Sequence, residues 1–394
     1  MQHESLTLTE EQDISPLKTR AGSNRVKKEK KVYMELIRAL CMVLVIFNHT
    51  GSRGYFLFYV ANDSVFYPFY MFISVACKVA VPLYWMISGA LLLPKDESIK
   101  QVYLHRVLRM VLVLLVFSVP YYINDVIKNH QQFGLVSVFT FFVKLYVGQL
   151  ATAFSFIYAY IGMMLILPLL RKLVRVMPKS YFKYLFLLVL GFRGVLPLLE
   201  YLISTLPSQM GFAFNADLRI GTLNPNIAGF LFPQTVLFFL GGYYFDSLLE
   251  DREITKKGAA KWLGAGFLAI VLTCLITHYR IACVGISQEA DAETFFSSLI
   301  LIPTFAVFYS MRLLFREHPV TGVTKKVILS FGRCAFGIML CEEALRHALD
   351  FIYSALAPSI RVLPACLIWV AAVYLGGYVI TLCLKRIPGI RALI

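Results

Sequence analysis

Two ionisable side chains lie within one apolar stretch near the N-terminus of the chain. Residues 33–50 are mainly apolar, yet they include Arg38 and His49, eleven positions apart. An α-helix turns about 100° and rises about 1.5 Å per residue, so the two side chains point within about 20° of one direction, roughly 16 Å apart. Ionisable groups in a membrane span usually face a bundle interior, a pathway or a catalytic site. We therefore predict that Arg38 and His49 form one wall of a polar cavity.

An alternative interpretation needs no cavity. Taken singly, Arg38 can extend its guanidinium to the lipid headgroups, and His49 can lie at the opposite membrane interface. The shared helix face favours a site, because two independent interfacial residues have no reason to align.

The composition identifies the class of protein. The chain has 394 residues, 58% of them hydrophobic and 15% charged, and its mean hydropathy is +0.69. These values exclude an ordinary soluble domain and indicate a polytopic membrane protein.

We predict an all-α helical bundle of about ten transmembrane helices. The predicted spans are residues 33–52, 68–93, 104–123, 152–170, 181–203, 226–249, 260–280, 294–315, 327–352 and 363–384. Residues 132–150 are broken by polar side chains, and we interpret them as an amphipathic or re-entrant segment.

The positions of the basic residues predict the topology. With the N-terminus inside, 27 of the 38 Lys and Arg residues fall in cytoplasmic segments, as the positive-inside rule requires. Both termini are therefore predicted to be cytoplasmic. The net charge of +15 then reflects topology and contact with the lipid bilayer, and we predict no nucleic-acid binding.

The predicted domain organisation is simple. Residues 1–31 are expected to be a disordered polar cytoplasmic tail, residues 32–385 the transmembrane domain, and residues 386–394 a short basic cytoplasmic end. The eight cysteines show no metal-ligand spacing, so we predict no metal site and no tightly bound cofactor.

Two further motifs follow the first apolar stretch. Residues 81–93 contain Pro82 and the pair Ser88-Gly89, which can bend a helix or allow a close neighbour. Arg106 and Arg109 lie three residues apart at the predicted cytoplasmic start of the third span, so they share a helix face and can hold one polyanion.

Taken in order, these motifs resemble the membrane acyltransferase 3 family. Its signatures are an Arg and a His with ten residues between them, an aromatic-aromatic-x-x-Ser-Gly segment and a cytoplasmic Arg-x-x-Arg. The matching residues here are Arg38, His49, Tyr84, Trp85, Ser88, Gly89, Arg106 and Arg109. Residues 162–168 and 237–244 are similar to further family segments, so the resemblance covers most of residues 33–350.

Two positions depart from the family pattern. Ser155 begins a Ser-Phe-Ile-Tyr sequence where many relatives have Trp-Phe-Leu-Tyr, and Glu342 stands where relatives have a second histidine. Glu342 and Glu343 lie near Arg346, one turn later, and we interpret this group as a structural ion pair rather than a catalytic one.

The resemblance implies transfer of an acyl group, usually acetyl, from cytosolic acyl-CoA to a hydroxyl of an extracytoplasmic glycan. His49 would act as general base, Asn48 would orient the imidazole or polarise the carbonyl, and Glu35 would fix the guanidinium of Arg38. The donor acetyl-CoA would bind the three arginines Arg38, Arg106 and Arg109, beside Tyr84, Trp85, Ser88 and Gly89. We expect direct transfer, with an acyl-enzyme on Ser88 as the alternative. The expected location is the cell membrane.

Other classes of function stay open at this point. A transporter or exporter of a glycan or small polar solute would also place Arg and His inside a helical bundle. A membrane scaffold held by buried charges is a third possibility. The sequence leaves the acceptor, the acyl group and the oligomeric state open, including a homo-oligomer.

Overall fold

The computed structural model describes residues 24–394 apart from residues 62, 131, 149, 210–233 and 285–288. All regular structure in these residues is helical, which confirms the predicted all-α class. The main helices are α1 (Asn24–Asn48), α2 (Tyr67–Cys77), α3 (Ala80–Leu92), α4 (Ile99–Lys128), α5 (Leu135–Val147), α6 (Ser155–Val176), α7 (Lys179–Val189), α8 (Leu196–Gln209), α9 (Gln234–Tyr243), α10 (Lys256–Tyr279), α11 (Leu301–Glu317), α12 (Gly322–Ala348), α13 (Asp350–Leu356), α14 (Val362–Leu384) and α15 (Pro388–Leu393).

Six helical stretches in the described residues are long and apolar enough to cross a membrane. They are Tyr67–Leu92, Ile99–Lys128, Thr152–Val176, Lys179–Ile203, Lys256–Ala282 and Val362–Leu384. Helices α1 and α12 lie in predicted spans but carry more polar residues, and α11 has only 17 residues. The number of ten crossings and the cytoplasmic side of both termini therefore stay predictions.

Three segments can be compared with the expectation in detail. Helix α1 begins at Asn24, inside the segment predicted as a disordered tail, because extending an existing helix adds a hydrogen bond for each residue fixed. Residues 1–23 and part of the predicted span 226–249 lie outside the described residues. Helix α5 has 13 residues, about 20 Å, which is too short to cross the bilayer, as expected for residues 132–150.

Helix α1 occupies the centre of the bundle. It packs against α3, α11, α12 and α14. Ile37, Cys41, Met42 and Ile46 on its apolar faces are at most 1% exposed. The surrounding helices therefore fix the direction in which its polar side chains point.

Helices α3 and α9 approach each other through glycines. A Cβ atom on Gly89 would lie 1.7 Å from the carbonyl oxygen of Phe239, and one on Gly242 would lie 1.7 Å from that of Met86. Only a residue without a side chain fits at these positions, as in other close contacts between membrane helices. This contact holds α3 at a fixed distance from its neighbour.

The predicted span 68–93 is broken in its middle. Helix α2 ends at Cys77 and α3 begins at Ala80, because Pro82 lacks the N–H that would bond to the carbonyl of Lys78. The Lys78 ammonium then pairs with Glu293 at 2.6 Å. After the break, α3 packs against α1, and its Trp85 ring contacts Phe156 on α6.

Candidate active site

A cavity of about 750 Å³ opens between α1, α3, α4, α6 and α12. Both Arg38 and His49 line it, so the structure places the two side chains on one cavity wall, as their spacing predicts. We name two parts of this cavity. The base end surrounds His49, and the cation end contains Arg38, Arg109, Arg333 and Lys385.

At the base end, His49 forms a dyad with Glu342. The His49 Nδ1 atom lies 2.8 Å from Glu342 Oε1, and the Glu342 side chain is completely buried. An ionised carboxylate only accepts hydrogen bonds, so Nδ1 is the donor in this contact, and a neutral imidazole in this tautomer has its lone pair on Nε2. In the described part of the chain, Nε2 has no hydrogen-bond partner of its own. In that tautomer, Nε2 is free to accept a hydrogen bond from a molecule in the cavity.

Arg346 fixes both members of this dyad. Its Nε donates to Glu342 Oε2 at 2.8 Å, and its Nη1 donates to the backbone oxygen of His49 at 2.7 Å. The predicted Glu342–Arg346 ion pair is thus present, and both of its members contact His49. The i,i+4 spacing of Glu342 and Arg346 was visible in the sequence, whereas their proximity to a residue 293 positions earlier was not.

Arg38 is held in place from two directions. Its Nη1 lies 2.6 Å from Glu35 Oε1, one turn earlier, so Glu35 contacts the guanidinium as predicted. The Tyr84 hydroxyl donates to the Arg38 backbone oxygen at 2.9 Å, which ties α3 to α1. Glu35 itself does not line the cavity, so the structure places it behind Arg38.

Asn48 lies on a different side of α1 from the dyad. Its Nδ2 donates to the backbone oxygen of Cys77 at 3.5 Å, and it is not among the residues that line the cavity. Among the described residues, no hydrogen bond joins Asn48 to the His49 side chain. The roles predicted for Asn48, orienting the imidazole or polarising the carbonyl, stay predictions.

Helix α3 supplies most of the predicted donor-site residues. Tyr84, Trp85 and Ser88 line the cavity, and the Trp85 ring packs on Phe156 with centroids 4.9 Å apart. Gly89 faces α9 and does not line the cavity, so the structure does not bring it together with the other predicted donor-site residues.

The two arginines of the Arg-x-x-Arg motif differ in their surroundings. Arg109 lines the cavity, whereas Arg106 lies in a smaller adjacent groove that Arg109 also borders. Glu97, in the turn before α4, accepts from Arg106 Nε at 2.8 Å and Nη2 at 2.5 Å. Arg171, on α6, donates to the same carboxylate at 3.0 Å. The hydrogen bonds from Arg106, together with the Arg171 guanidinium, lower the pKa of Glu97 to about 2.

Two residues of the cation end were not predicted as site residues. Arg333 on α12 and Lys385 after α14 both line the cavity. The sequence did contain a signal for Arg333, since it lies inside a predicted span, where a charged side chain indicates function. Lys385 was indistinguishable from any other basic residue that flanks a span.

Comparison with known proteins identifies the family. No curated protein and no solved structure matches the chain. A family model described as an acyltransferase domain matches residues 31–384, which is nearly the whole chain. Together with its apolar helices, this match makes the chain a multi-pass membrane protein that belongs to the acyltransferase 3 family.

Proposed function

We propose that this protein transfers an acetyl group from cytosolic acetyl-CoA to a hydroxyl group of an extracytoplasmic glycan. The observation that carries the proposal is the His49–Glu342 dyad at one end of a cavity whose other end is cationic. The base end suits activation of a hydroxyl, and the cation end suits the phosphates of the donor.

The distance between the two ends fits an extended donor. Arg38 and His49 are roughly 16 Å apart along α1. With the phosphates at the cation end, the thioester arm would extend along α3 past Tyr84, Trp85 and Ser88. The aromatic side chains of this wall offer apolar packing for the arm and exclude water from it.

The proposed reaction is a direct transfer. His49 Nε2 takes the proton of the acceptor hydroxyl while the oxygen attacks the thioester carbonyl carbon. The tetrahedral intermediate then breaks its carbon–sulfur bond, and the imidazolium returns the proton to the departing thiolate. Glu342 stabilises the imidazolium through Nδ1, and Arg346 keeps the carboxylate in position.

The test uses the full chain, purified into lipid nanodiscs, with labelled acetyl-CoA and an extracytoplasmic glycan extract. We expect label on the glycan, one free thiol for each acetyl group transferred, and a loss of about 10²–10⁴-fold for His49→Ala. Equal donor consumption by wild type and His49→Ala would refute the enzyme assignment.

The transporter alternative predicts a different result for the same purified protein. Reconstituted vesicles would then move a glycan or polar solute across the bilayer without releasing thiol from the donor. Solute movement with no acetyl transfer would replace the proposal by this alternative.

A further inference from the structure

Three cations at the cation end have no acidic partner. In the described part of the chain, no carboxylate lies within ion-pair distance of Arg109, Arg333 or Lys385, and no acidic side chain lines the cavity. By contrast, the Arg38 and Arg106 guanidinium groups are each paired with a carboxylate, of Glu35 and Glu97 respectively.

The hydrogen bonds of the Arg109 and Lys385 side chains are to neutral groups. Arg109 donates twice to the Leu393 backbone oxygen, from Nε at 3.1 Å and from Nη2 at 3.0 Å. Lys385 Nζ donates to the Arg333 backbone oxygen at 2.9 Å. A hydrogen bond to a phosphate oxygen is charge-assisted and roughly twice as strong as one to a neutral carbonyl, so an incoming phosphate can displace the Leu393 contact.

Uncompensated like charges that share one cavity repel each other. Their repulsion is relieved when a polyanion binds between them. Arg109 and Arg333 are solvent-exposed, so they are available to a ligand without the breaking of an ion pair. The cation end is therefore a site for a molecule that carries several phosphate charges.

We propose that Arg109, Arg333 and Lys385 bind the phosphates of the acyl-CoA donor, while Arg106 anchors the structure through Glu97 and Arg171. This assignment rests on the proposed function and names the residues that recognise the donor. It transfers part of the role predicted for the Arg-x-x-Arg motif to two residues outside that motif.

The test measures CoA binding to the full chain in nanodiscs by calorimetry. Arg333→Gln and Lys385→Gln should each weaken CoA binding about tenfold, since each removes a charge-assisted hydrogen bond to phosphate. Arg386→Gln, which removes a neighbouring exposed charge that does not line the cavity, serves as the matched control and should bind CoA as wild type does. Raising the salt concentration should weaken wild-type binding more steeply than that of the Arg333→Gln, Lys385→Gln double variant.

A truncated donor separates recognition of phosphate from a general structural effect. Acetyl-pantetheine carries the thioester arm without the nucleotide phosphates. The double variant and wild type should use this donor with the same KM and kcat. If the double variant loses both donors equally, Arg333 and Lys385 only support the fold, and the proposal is overturned.

The experiments distinguish failure of the proposed function from failure of the proposed phosphate subsite. Wild type that neither binds CoA nor transfers acetyl would remove the proposed function and this subsite with it. Wild type that binds CoA and transfers acetyl, with a double variant that binds CoA equally well, would remove only the subsite.

Discussion

The two ends of the cavity differ in how their charges are compensated. At the base end, the buried Glu342 carboxylate is bonded to both His49 and Arg346, at 2.8 Å in each case. At the cation end, the hydrogen bonds that Arg109 and Lys385 form with the described residues go to carbonyl oxygens, apart from a contact of 3.5 Å between Lys385 and the Cys334 sulfur. The charged groups of the base end are thus paired with one another, whereas those of the cation end can still bind an anion.

This difference separates two physical tasks. A base must hold one geometry throughout the reaction, and a network of charge-assisted hydrogen bonds provides that rigidity. A donor site must exchange its ligand in every turnover, so weak contacts to neutral carbonyls suit it better than ion pairs. We expect mutations at the base end to lower kcat, and mutations at the cation end to raise the KM for the donor.

After His49 itself, the largest effect is expected from the buried carboxylate of Glu342. Glu342→Gln should lower kcat about tenfold to a hundredfold, because the amide neither stabilises the imidazolium nor defines the Nδ1 tautomer. CoA binding should stay as in wild type, since the cation end is intact. Steady-state kinetics together with calorimetry checks this split.

Glu343→Gln is the matched control for this prediction. The neighbouring Glu343 accepts a hydrogen bond from the Thr152 backbone N–H at 2.6 Å and does not line the cavity. Its kcat should match wild type. Equal losses in the two variants would mean that any charge change in this part of α12 disturbs the site, and the contrast between the two ends would disappear.

The second prediction concerns α3, the wall that connects the two ends. Gly89→Ala should lower the free energy of unfolding by about 1–3 kcal/mol or more, because its Cβ would overlap the Phe239 backbone. Thermal unfolding without ligand measures this loss. Gly162→Ala, on α6 with no atom within 4 Å of its added Cβ, should be neutral or slightly stabilising. A Gly89→Ala variant with wild-type stability and weakened CoA binding would restore Gly89 to the donor site.

The third prediction tests the anchoring of Arg106. Glu97→Gln should destabilise the protein by about 1 kcal/mol at neutral pH, because Arg106 and the buried Arg171 lose their shared carboxylate. The pKa of Glu97 is lowered from 4.5 to about 2, so its stabilising contribution is complete above pH 4.5 and is lost as the pH falls towards 2. Unfolding temperatures of wild type and variant should therefore converge over that range. A constant difference at all pH values would show that the ionised carboxylate is not the source of the stability.

The smallest effect is expected at Ser88. This side chain lines the cavity, but direct transfer gives it no covalent role. Ser88→Ala should keep the wild-type kcat, and mass spectrometry of the wild type with donor alone should find no acetyl group on Ser88. A covalent adduct at Ser88 together with an inactive alanine variant would replace direct transfer by an acyl-enzyme mechanism.

Local patterns predicted much of this architecture. The spacing of Arg38 and His49 was sufficient to place both on the cavity, because helix geometry relates residues eleven positions apart without knowledge of the rest of the chain. The same geometry placed Glu35 against Arg38. Apolar runs predicted the helices, although their number of membrane crossings stays a prediction.

Contacts between distant segments could not be predicted in this way. Glu342 and His49 are 293 positions apart, and nothing in either segment specifies the other. The same holds for Gly89, whose neighbour Phe239 lies on α9, and for Lys385, whose place on the cavity depends on how α14 packs. Asn48 shows a different limit, since its adjacency in sequence to His49 suggested a shared task, whereas its amide bonds to the Cys77 backbone oxygen.

The wide sequence separation within the dyad has a consequence for biosynthesis. His49 leaves the ribosome early, whereas Glu342 and Arg346 follow only after almost three hundred further residues. The nascent chain therefore carries an unsupported imidazole until α12 has been inserted and packed against α1. Under the proposed function, a polypeptide that stops before α12 would be inactive even if every helix ahead of it had reached the membrane correctly.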